Sequence, residues 1–126
     1  KYGQNSRADL LLEGPNGMVF VEVKSVTLCQ DDGQGLFPDT VSDRGRKHLR
    51  ELAAIRDETT RAVMFFCVLH EGIDRVSAAG QIDSRYRDTL LEVMEQGVEV
   101  LAWRANVTPE GIIMNRPLPF SVDPNE

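Results

Sequence analysis

The chain has 126 residues, of which 41% are hydrophobic and 27% charged, and its formal net charge at pH 7 is -6. This composition is that of one globular domain and excludes a disordered or fibrous chain, and no apolar run is long enough to span a bilayer. The acidic balance argues against a polyanion such as nucleic acid as a partner, although residues 44–50 are locally basic. Two distant cysteines and no secretory signal predict a cytoplasmic protein without membrane contact. Because the chain opens at Lys1 and reaches a strand pattern within ten residues, we expect an N-terminal part to precede it.

The first half of the chain predicts a hairpin followed by a helix. Apolar, β-branched runs over residues 10–13 and 18–26 flank the turn-forming residues 14–17. A glycine-containing loop follows. From about Ser42 to Thr59 the pattern is helical, with Leu49, Leu52 and Ala53 on one apolar stripe. A basic stripe runs along another side of the same predicted helix.

The second half alternates strand and helix patterns. Residues 61–70 form a continuous apolar run, typical of a strand buried on both faces. A second helix is predicted to start near Asp83 and to stop at Gly97, followed by strands at residues 98–107 and 112–114. The order β-β-α-β-α-β-β predicts an α/β fold with a mixed sheet flanked by helices, in one domain over residues 1–126.

The register of the first hairpin follows from its turn. Pro15 cannot take the positive φ that a type I′ turn needs, so a four-residue loop built on a type I turn, with Gly17 as its last residue, is favoured. That loop pairs Glu13 with Met18. Continued outward, the same register pairs Leu12 with Val19, Leu11 with Phe20 and Leu10 with Val21. The pairs beyond these are formed by polar residues at the open end of the hairpin.

Four charged residues then gather on one face of the hairpin. Asp9 faces Glu22, Arg7 faces Lys24, and side-chain alternation puts all four on the same side. The opposite side is apolar, formed by Ala8, Leu10, Leu12, Val19, Val21 and Val23. Two carboxylates about 5 Å apart repel by roughly 3 kcal/mol at an effective dielectric of about 20, so this pairing needs compensation.

A divalent cation bound between the two carboxylates would offset their repulsion and could also take part in catalysis. Mg²⁺ prefers oxygen ligands and is commonly held by one or two carboxylates plus waters and phosphate oxygens, which fits Asp9 and Glu22, and Mn²⁺ fits similarly. The Lys24 ammonium on the same face can stabilise developing charge or help orient and deprotonate an attacking water. The pattern therefore predicts a phosphodiester-hydrolysing site with Asp9, Glu22 and Lys24 as its catalytic residues.

A second interpretation uses the same residues without chemistry. Arg7 and Lys24 could neutralise Asp9 and Glu22 in a solvated ladder on an exposed sheet face. Spacing alone supports both interpretations equally.

Longer strings resemble a known family. An Asp, then a hairpin, then Glu-Val-Lys resembles the PD-(D/E)XK nuclease motif. The strings NSRADLLLE, VEVKSVTL, LFPDTVSDRGRKHLREL, and GVEVLAWRANVTPEGI with RPLPF resemble the C-terminal domain of the sugar fermentation stimulation protein A (SfsA) family, from about Asn5 to Phe120. The resemblance implies a restriction-endonuclease-like domain, preceded in the family by an OB-like nucleic-acid-binding domain that this chain lacks. By position, the family's acidic pair and lysine correspond to Asp9, Glu22 and Lys24.

Other residues near the predicted site have two interpretations each. Asp39 is a candidate accessory acid, although an acid after a proline is commonly a turn or cap residue. The helix residues that are candidates for gripping phosphates are Arg44, Arg46, Lys47 and His48. Their alternative is an ordinary solvated helix face on which Glu51 pairs with Lys47 and His48. Arg7 is either a phosphate contact or a simple neighbour of Lys24.

Two functions from different classes follow. The first is a Mg²⁺- or Mn²⁺-dependent deoxyribonuclease whose DNA is held chiefly by the missing N-terminal domain. The second is a non-catalytic DNA-binding regulator of sugar-utilisation genes. The intact Asp9, Glu22 and Lys24 favour the first. The sequence leaves open whether the chain forms a homo-oligomer, and whether DNA or RNA is the substrate.

Overall fold

The computed structural model describes residues 10–41 and 43–123, apart from the side chain of Val107. Its helices are α1 (Asp43–Ile55) and α2 (Ser84–Glu95). Its strands in chain order are β1 (Leu10–Gly14), β2 (Gly17–Val26), β3 (Leu28–Cys29), β4 (Gln34–Phe37), β5 (Thr60–Val68), β6 (Arg75–Ala78), β7 (Glu99–Thr108), β8 (Gly111–Leu118) and β9 (Phe120–Ser121). Neither helix is long and apolar enough to cross a membrane.

The strands form a five-stranded sheet and a four-stranded sheet. The larger sheet has the order β1-β2-β5-β7-β8, and the smaller one β3-β4-β6-β9. Strands β2, β5 and β7 are parallel and joined by α1 and α2, while β1 and β8 pair antiparallel at the edges. Successive crossovers that step in one direction across a sheet put both helices on the same face, because such crossovers are right-handed.

The core lies between that face and the helices. Met64, Phe66 and Val68 of β5 are fully buried there with Leu49 and Leu52 of α1. Tyr86, Leu90 and Val93 of α2 complete the same cluster. The helices therefore cover the sheet on the side to which Met64 and Phe66 point, and every second residue of the neighbouring β2 points the same way.

The predicted hairpin register is confirmed for the described pairs. Leu10 pairs with Val21 and Glu13 with Met18, and Gly17 has a φ of 124° at the turn. The apolar side of the hairpin is the side away from the helices, and there Leu10 and Leu12 remain 51% and 53% exposed. The helices instead pack over the side of β2 that carries the polar residues.

The two helices are both found, with one boundary corrected. The second begins as predicted, with the Asp83 side chain as N-cap accepting a hydrogen bond from the Tyr86 backbone N–H at 3.0 Å. The first ends at Ile55 rather than near Thr59. Asp57 accepts hydrogen bonds from the backbone and side chain of Thr59, which gives the chain a turn in place of another helical turn.

The smaller sheet was not predicted. Its strands have between two and four residues each, and β4 contains Gly35 within the segment that we expected to be a loop. Strands this short show no measurable alternation of apolar and polar residues. They are identified by their partners in space, since β4 pairs with β6 and β6 with β9 across large sequence separations.

Candidate active site

The site is built around a carboxylate inside the larger sheet. Glu22 lies in β2, with β1 on one side and β5 on the other, and is 4% exposed. Its Cα partner on β5 is the fully buried Met64, so its side chain points under the helices. A carboxylate in such a position is costly unless charged or polar groups surround it. Glu22 therefore does not lie on an exposed sheet face, as the interpretation of a solvated ladder of charges requires.

Lys24 provides the opposite charge. It follows Glu22 by two residues in the same strand, so both side chains are on the covered face. Its Nζ lies 3.4 Å from Oε2 of Glu22, and its side chain is 22% exposed. The Lys24 side chain as a whole is thus partly exposed, whereas Glu22 is buried. The two members of the pair therefore have different environments, and the lysine is the more exposed one.

His48 is the third member of the cluster. It lies on α1 and is 8% exposed, and its Nδ1 is 3.2 Å from Nζ of Lys24 and 3.4 Å from Oε2 of Glu22. An ammonium can only donate hydrogen bonds, so Nδ1 accepts from Lys24 and the ring hydrogen is assigned to Nε2. Lys24 therefore donates a hydrogen bond to the His48 ring and forms an ion pair with the Glu22 carboxylate.

The electrostatics of His48 agree with this assignment. Burial lowers the pKa of His48 below its usual 6.5, and the charges of Lys24 and Arg44 lower it further, while Glu22 and Glu51 oppose them. A neutral ring at physiological pH follows. Neutral His48 leaves Lys24 as the positive partner of Glu22.

A phenol on the second helix borders the cluster. The Tyr86 side chain is fully buried, and its hydroxyl has no hydrogen-bond partner among the described residues. Burial raises the pKa of Tyr86 strongly, and the negative charges of Glu22 and Asp83 add to the effect. The hydroxyl is therefore protonated at all physiological pH values.

The predicted residues separate into three groups. Asp9 and Arg7 lie outside the described residues, so their predicted roles stay predictions. Glu22 and Lys24 are brought together. Asp39 is exposed in the loop between β4 and α1, and its accessory role also stays a prediction.

The basic residues of α1 differ in whether they are exposed to solvent or buried against the sheet. Arg44 and Lys47 are exposed, and Lys47 lies 3.9 Å from Glu51 as the ordinary helix-face interpretation expects. Arg46 pairs with Asp43. The prediction that His48 lies on the solvated basic stripe is wrong, because its ring is buried and contacts Lys24 on the sheet.

The sequence contained a signal for the placement of His48. The buried positions of α1 are Gly45, His48, Leu49 and Leu52. They follow the spacing of three and four residues that marks the apolar stripe of a helix. The charge type of His48 favours the basic stripe, whereas this spacing favours the buried stripe. Its partner 24 residues away is visible only in three dimensions.

The side chains around Glu22 determine whether a divalent cation can bind there. The described residues contain no group of three or more side chains of the usual metal-ligating types. Glu22 provides one carboxylate, an oxygen ligand suited to a hard cation that retains several waters. Glu22 therefore fits one protein ligand of such a site, and the second predicted ligand, Asp9, is outside the described residues.

Comparisons with known proteins give the family context. A protein-family model described as "Sugar fermentation stimulation protein RE domain" matches residues 1–111. The chain is similar to curated sugar fermentation stimulation protein homologs, 51% identical over 120 residues in a Marinomonas species and 49% over 126 residues in Aliivibrio salmonicida. These alignments cover 94% and 97% of this chain but 46% and 53% of the relatives, so the chain spans about half the length of those proteins.

A solved structure supports the fold. The chain is similar to Pyrococcus furiosus SfsA, determined in complex with Ca²⁺, with a TM-score of 0.84 at 29% identity. The match covers 97% of this chain and 52% of that one. The restriction-endonuclease-like fold that the sequence resemblance implied is confirmed.

Proposed function

This chain belongs to the sugar fermentation stimulation protein A family, and from that membership and the Glu22–Lys24 pair we propose that it is a metal-dependent nuclease that hydrolyses phosphodiester bonds in DNA. The observation that carries the proposal is the Lys24 ammonium, 3.4 Å from a buried carboxylate on a restriction-endonuclease-like sheet. A buried carboxylate beside a partly exposed lysine is an arrangement that can serve chemistry, because charged groups are rarely buried without a reason.

The metal is proposed from three arguments. Glu22 fits one ligand, the solved relative was determined with Ca²⁺, and Ca²⁺ and Mg²⁺ both take carboxylate oxygens. Asp9 is the proposed second ligand, because the register of the described pairs, extended by one residue beyond Leu10 and Val21, would set it opposite Glu22. We propose Mg²⁺ or Mn²⁺ as the working ion. Bound there, it would supply positive charge near the scissile phosphate.

Lys24 carries the part of the reaction assigned to this chain. Its ammonium has three hydrogens. One is donated to Nδ1 of His48, and the ammonium charge attracts Glu22, so another hydrogen can be donated to a phosphate oxygen or to the attacking water. Because the Glu22 carboxylate already attracts the ammonium, little reorganisation is needed when negative charge develops on the phosphate, which is the condition for strong electrostatic stabilisation.

DNA is the proposed partner. Arg44 and Lys47 are exposed on α1, and the charge of Arg44 acts on His48, so Arg44 is the basic residue best placed to guide a phosphate toward the cluster. The net charge of -6 disfavours tight binding by this chain alone. We propose that the remaining half of the relatives' length supplies most of the affinity, through the OB-like domain expected from the family.

Cleavage assays test the proposal. The chain is incubated with plasmid, linear and single-stranded DNA in Mg²⁺, in Mn²⁺ and in EDTA, beside Glu22→Gln and a matched control, Glu99→Gln, a carboxylate exposed on the other face of the same sheet. We expect metal-dependent cleavage that Glu22→Gln reduces by about a hundredfold or more and that Glu99→Gln leaves unchanged. DNA binding without cleavage in any metal would favour the regulator function instead.

Asp9→Asn tests the second ligand. If Asp9 and Glu22 repel in the absence of metal, the substitution should leave the EDTA melting temperature unchanged or raised while cleavage is lost. Mg²⁺ should then stabilise the variant less than the wild type. A variant that melts lower in EDTA and still cuts DNA would contradict the assignment of Asp9.

A further inference from the structure

The imidazole of His48 is the one cluster member whose function the nuclease proposal does not explain. Its ring is buried on α1, while its contacts are to residues of β2 that are 24 and 26 positions away in the chain. A buried imidazole needs a hydrogen-bond partner for its ring nitrogens. At Nδ1 that partner is the nitrogen of Lys24, at 3.2 Å.

The hydrogen-bond chemistry assigns the roles within the contact. The Lys24 ammonium donates and Nδ1 accepts, so the lone pair of that ring nitrogen is used by the lysine. His48 is thus not available at Nδ1 to remove a proton from water or to bind a phosphate. What the contact can do is restrict a long, flexible side chain that has substantial rotamer entropy of its own.

We propose that His48 is a positioning residue that holds the Lys24 ammonium through Nδ1, in the place where it meets the scissile phosphate. The inference rests on the proposed nuclease function for its catalytic consequence and on the Lys24–His48 contact for its physical content. His48 fixes the lysine from the helix side, and Glu22 fixes it from within the strand. The cluster therefore needs α1 packed on the sheet in order to be complete.

Three substitutions separate this role from its alternatives. In His48→Asn the side-chain oxygen is bonded to Cγ, as Nδ1 is, so it can accept from Lys24 at nearly the same place. In His48→Gln the oxygen is one bond further out and imitates Nε2. His48→Leu fills the space without an acceptor. Positioning through Nδ1 ranks the variants Asn above Gln above Leu, whereas space filling would rank Leu or Gln first.

The first readout is independent of catalysis. The ¹H–¹⁵N signal of the Lys24 ammonium, recorded in the metal-free chain at low temperature, is visible when hydrogen bonds slow its exchange with water. We expect it in the wild type and in His48→Asn, and we expect it to broaden or vanish in His48→Leu. A signal that is unchanged in all three variants would overturn the proposal whether or not the protein cleaves DNA.

The second readout is cleavage. Loss of a hydrogen bond to a charged group corresponds to about a tenfold or larger fall in kcat for His48→Leu, with KM nearly unchanged, and His48→Asn should keep most of kcat. The matched control is the same pair of substitutions at His70, an exposed histidine whose Nδ1 accepts from the Gly72 backbone N–H at 2.9 Å. Neither His70 variant should change kcat.

The outcomes are distinguishable. Higher activity in His48→Gln than in His48→Asn would show that Nε2 acts, and a change in KM alone would show that His48 grips phosphate; each overturns the proposal. If the wild type cleaves no DNA, the nuclease function fails while the ammonium signal still decides the positioning role. Melting curves check that the variants fold, and if His48→Leu does not, the comparison of Asn with Gln remains decisive.

Discussion

The larger sheet carries opposite charges on both faces, in two different ways. On the face covered by helices, Glu22 and Lys24 are 3.4 Å apart and largely buried. On the open face, Arg61 of β5 donates two hydrogen bonds to Glu99 of β7, at 2.6 and 2.7 Å, and both side chains are well exposed. The exposed pair has two short hydrogen bonds, whereas the buried pair is separated by 3.4 Å. The buried pair also lies where water cannot solvate its charges well.

That difference indicates what each pair is for. An exposed ion pair, even a bidentate one, adds little stability because water screens it and solvates either partner when the other is lost. A buried pair is commonly no better for stability than apolar residues of similar volume, yet removing one partner is strongly destabilising. A buried ion pair such as Glu22–Lys24 is not expected to make the fold more stable than apolar residues would. A chemical function therefore explains its presence better.

The largest effect is expected from Lys24→Met. The substitution keeps the length of the side chain and removes the cation that lies 3.4 Å from Glu22, which is 4% exposed. We expect a loss of about 3 kcal/mol in the free energy of unfolding in EDTA, measured by urea titration, which is the low end for a buried pair because Lys24 is partly exposed. Mg²⁺ should recover part of this loss by replacing the missing charge. A fully stable Lys24→Met chain would show that the carboxylate is compensated elsewhere.

Glu22→Gln should have a smaller effect on stability. It removes the buried charge with little change of shape, and Lys24 keeps its contact to His48 and remains 22% exposed to water. We expect a loss of about 1 kcal/mol in EDTA. The stabilisation by Mg²⁺ that we expect in the wild type should be absent from the melting curves of the variant. Equal Mg²⁺ stabilisation of both proteins would mean that the ion binds away from Glu22.

Loss of the exposed Arg61–Glu99 pair should change the stability only slightly. Glu99→Gln removes the acceptor charge of Arg61 where both groups are solvated. We expect the melting temperature to change by at most about 2–3 °C, with no dependence on Mg²⁺. A larger fall than for Glu22→Gln would reverse the comparison between the two faces.

The pH dependence of that small effect has a defined sign. The hydrogen bonds from Arg61 lower the pKa of Glu99 below its usual 4.5. A carboxyl whose pKa is lowered by folding contributes stability above its unfolded pKa and loses it as the pH falls through the folded value. The difference in melting temperature between wild type and Glu99→Gln should therefore be constant from neutral pH to about pH 5 and shrink below 4.5. A difference that widens in acid would contradict this assignment.

Local chemistry was sufficient for the parts of the molecule where neighbouring residues decide the structure. The turn at Pro15 and Gly17 set the hairpin register, Asp83 set the start of α2, and the two-residue spacing put Glu22 and Lys24 on one face. Each of these depends on backbone geometry within a few residues. The resemblance to the family likewise rested on contiguous strings, and the family and fold it implied are confirmed.

Tertiary structure decided which face of the hairpin is buried and what completes the site. Both sides of β2 could have met the helices, and the more apolar side is the one that the helices leave open. The handedness of the crossovers, not local hydrophobicity, selects the face that α1 covers. That choice buries Glu22 and brings His48 to Lys24 across 24 residues, because the direction of a side chain depends on where its whole element packs.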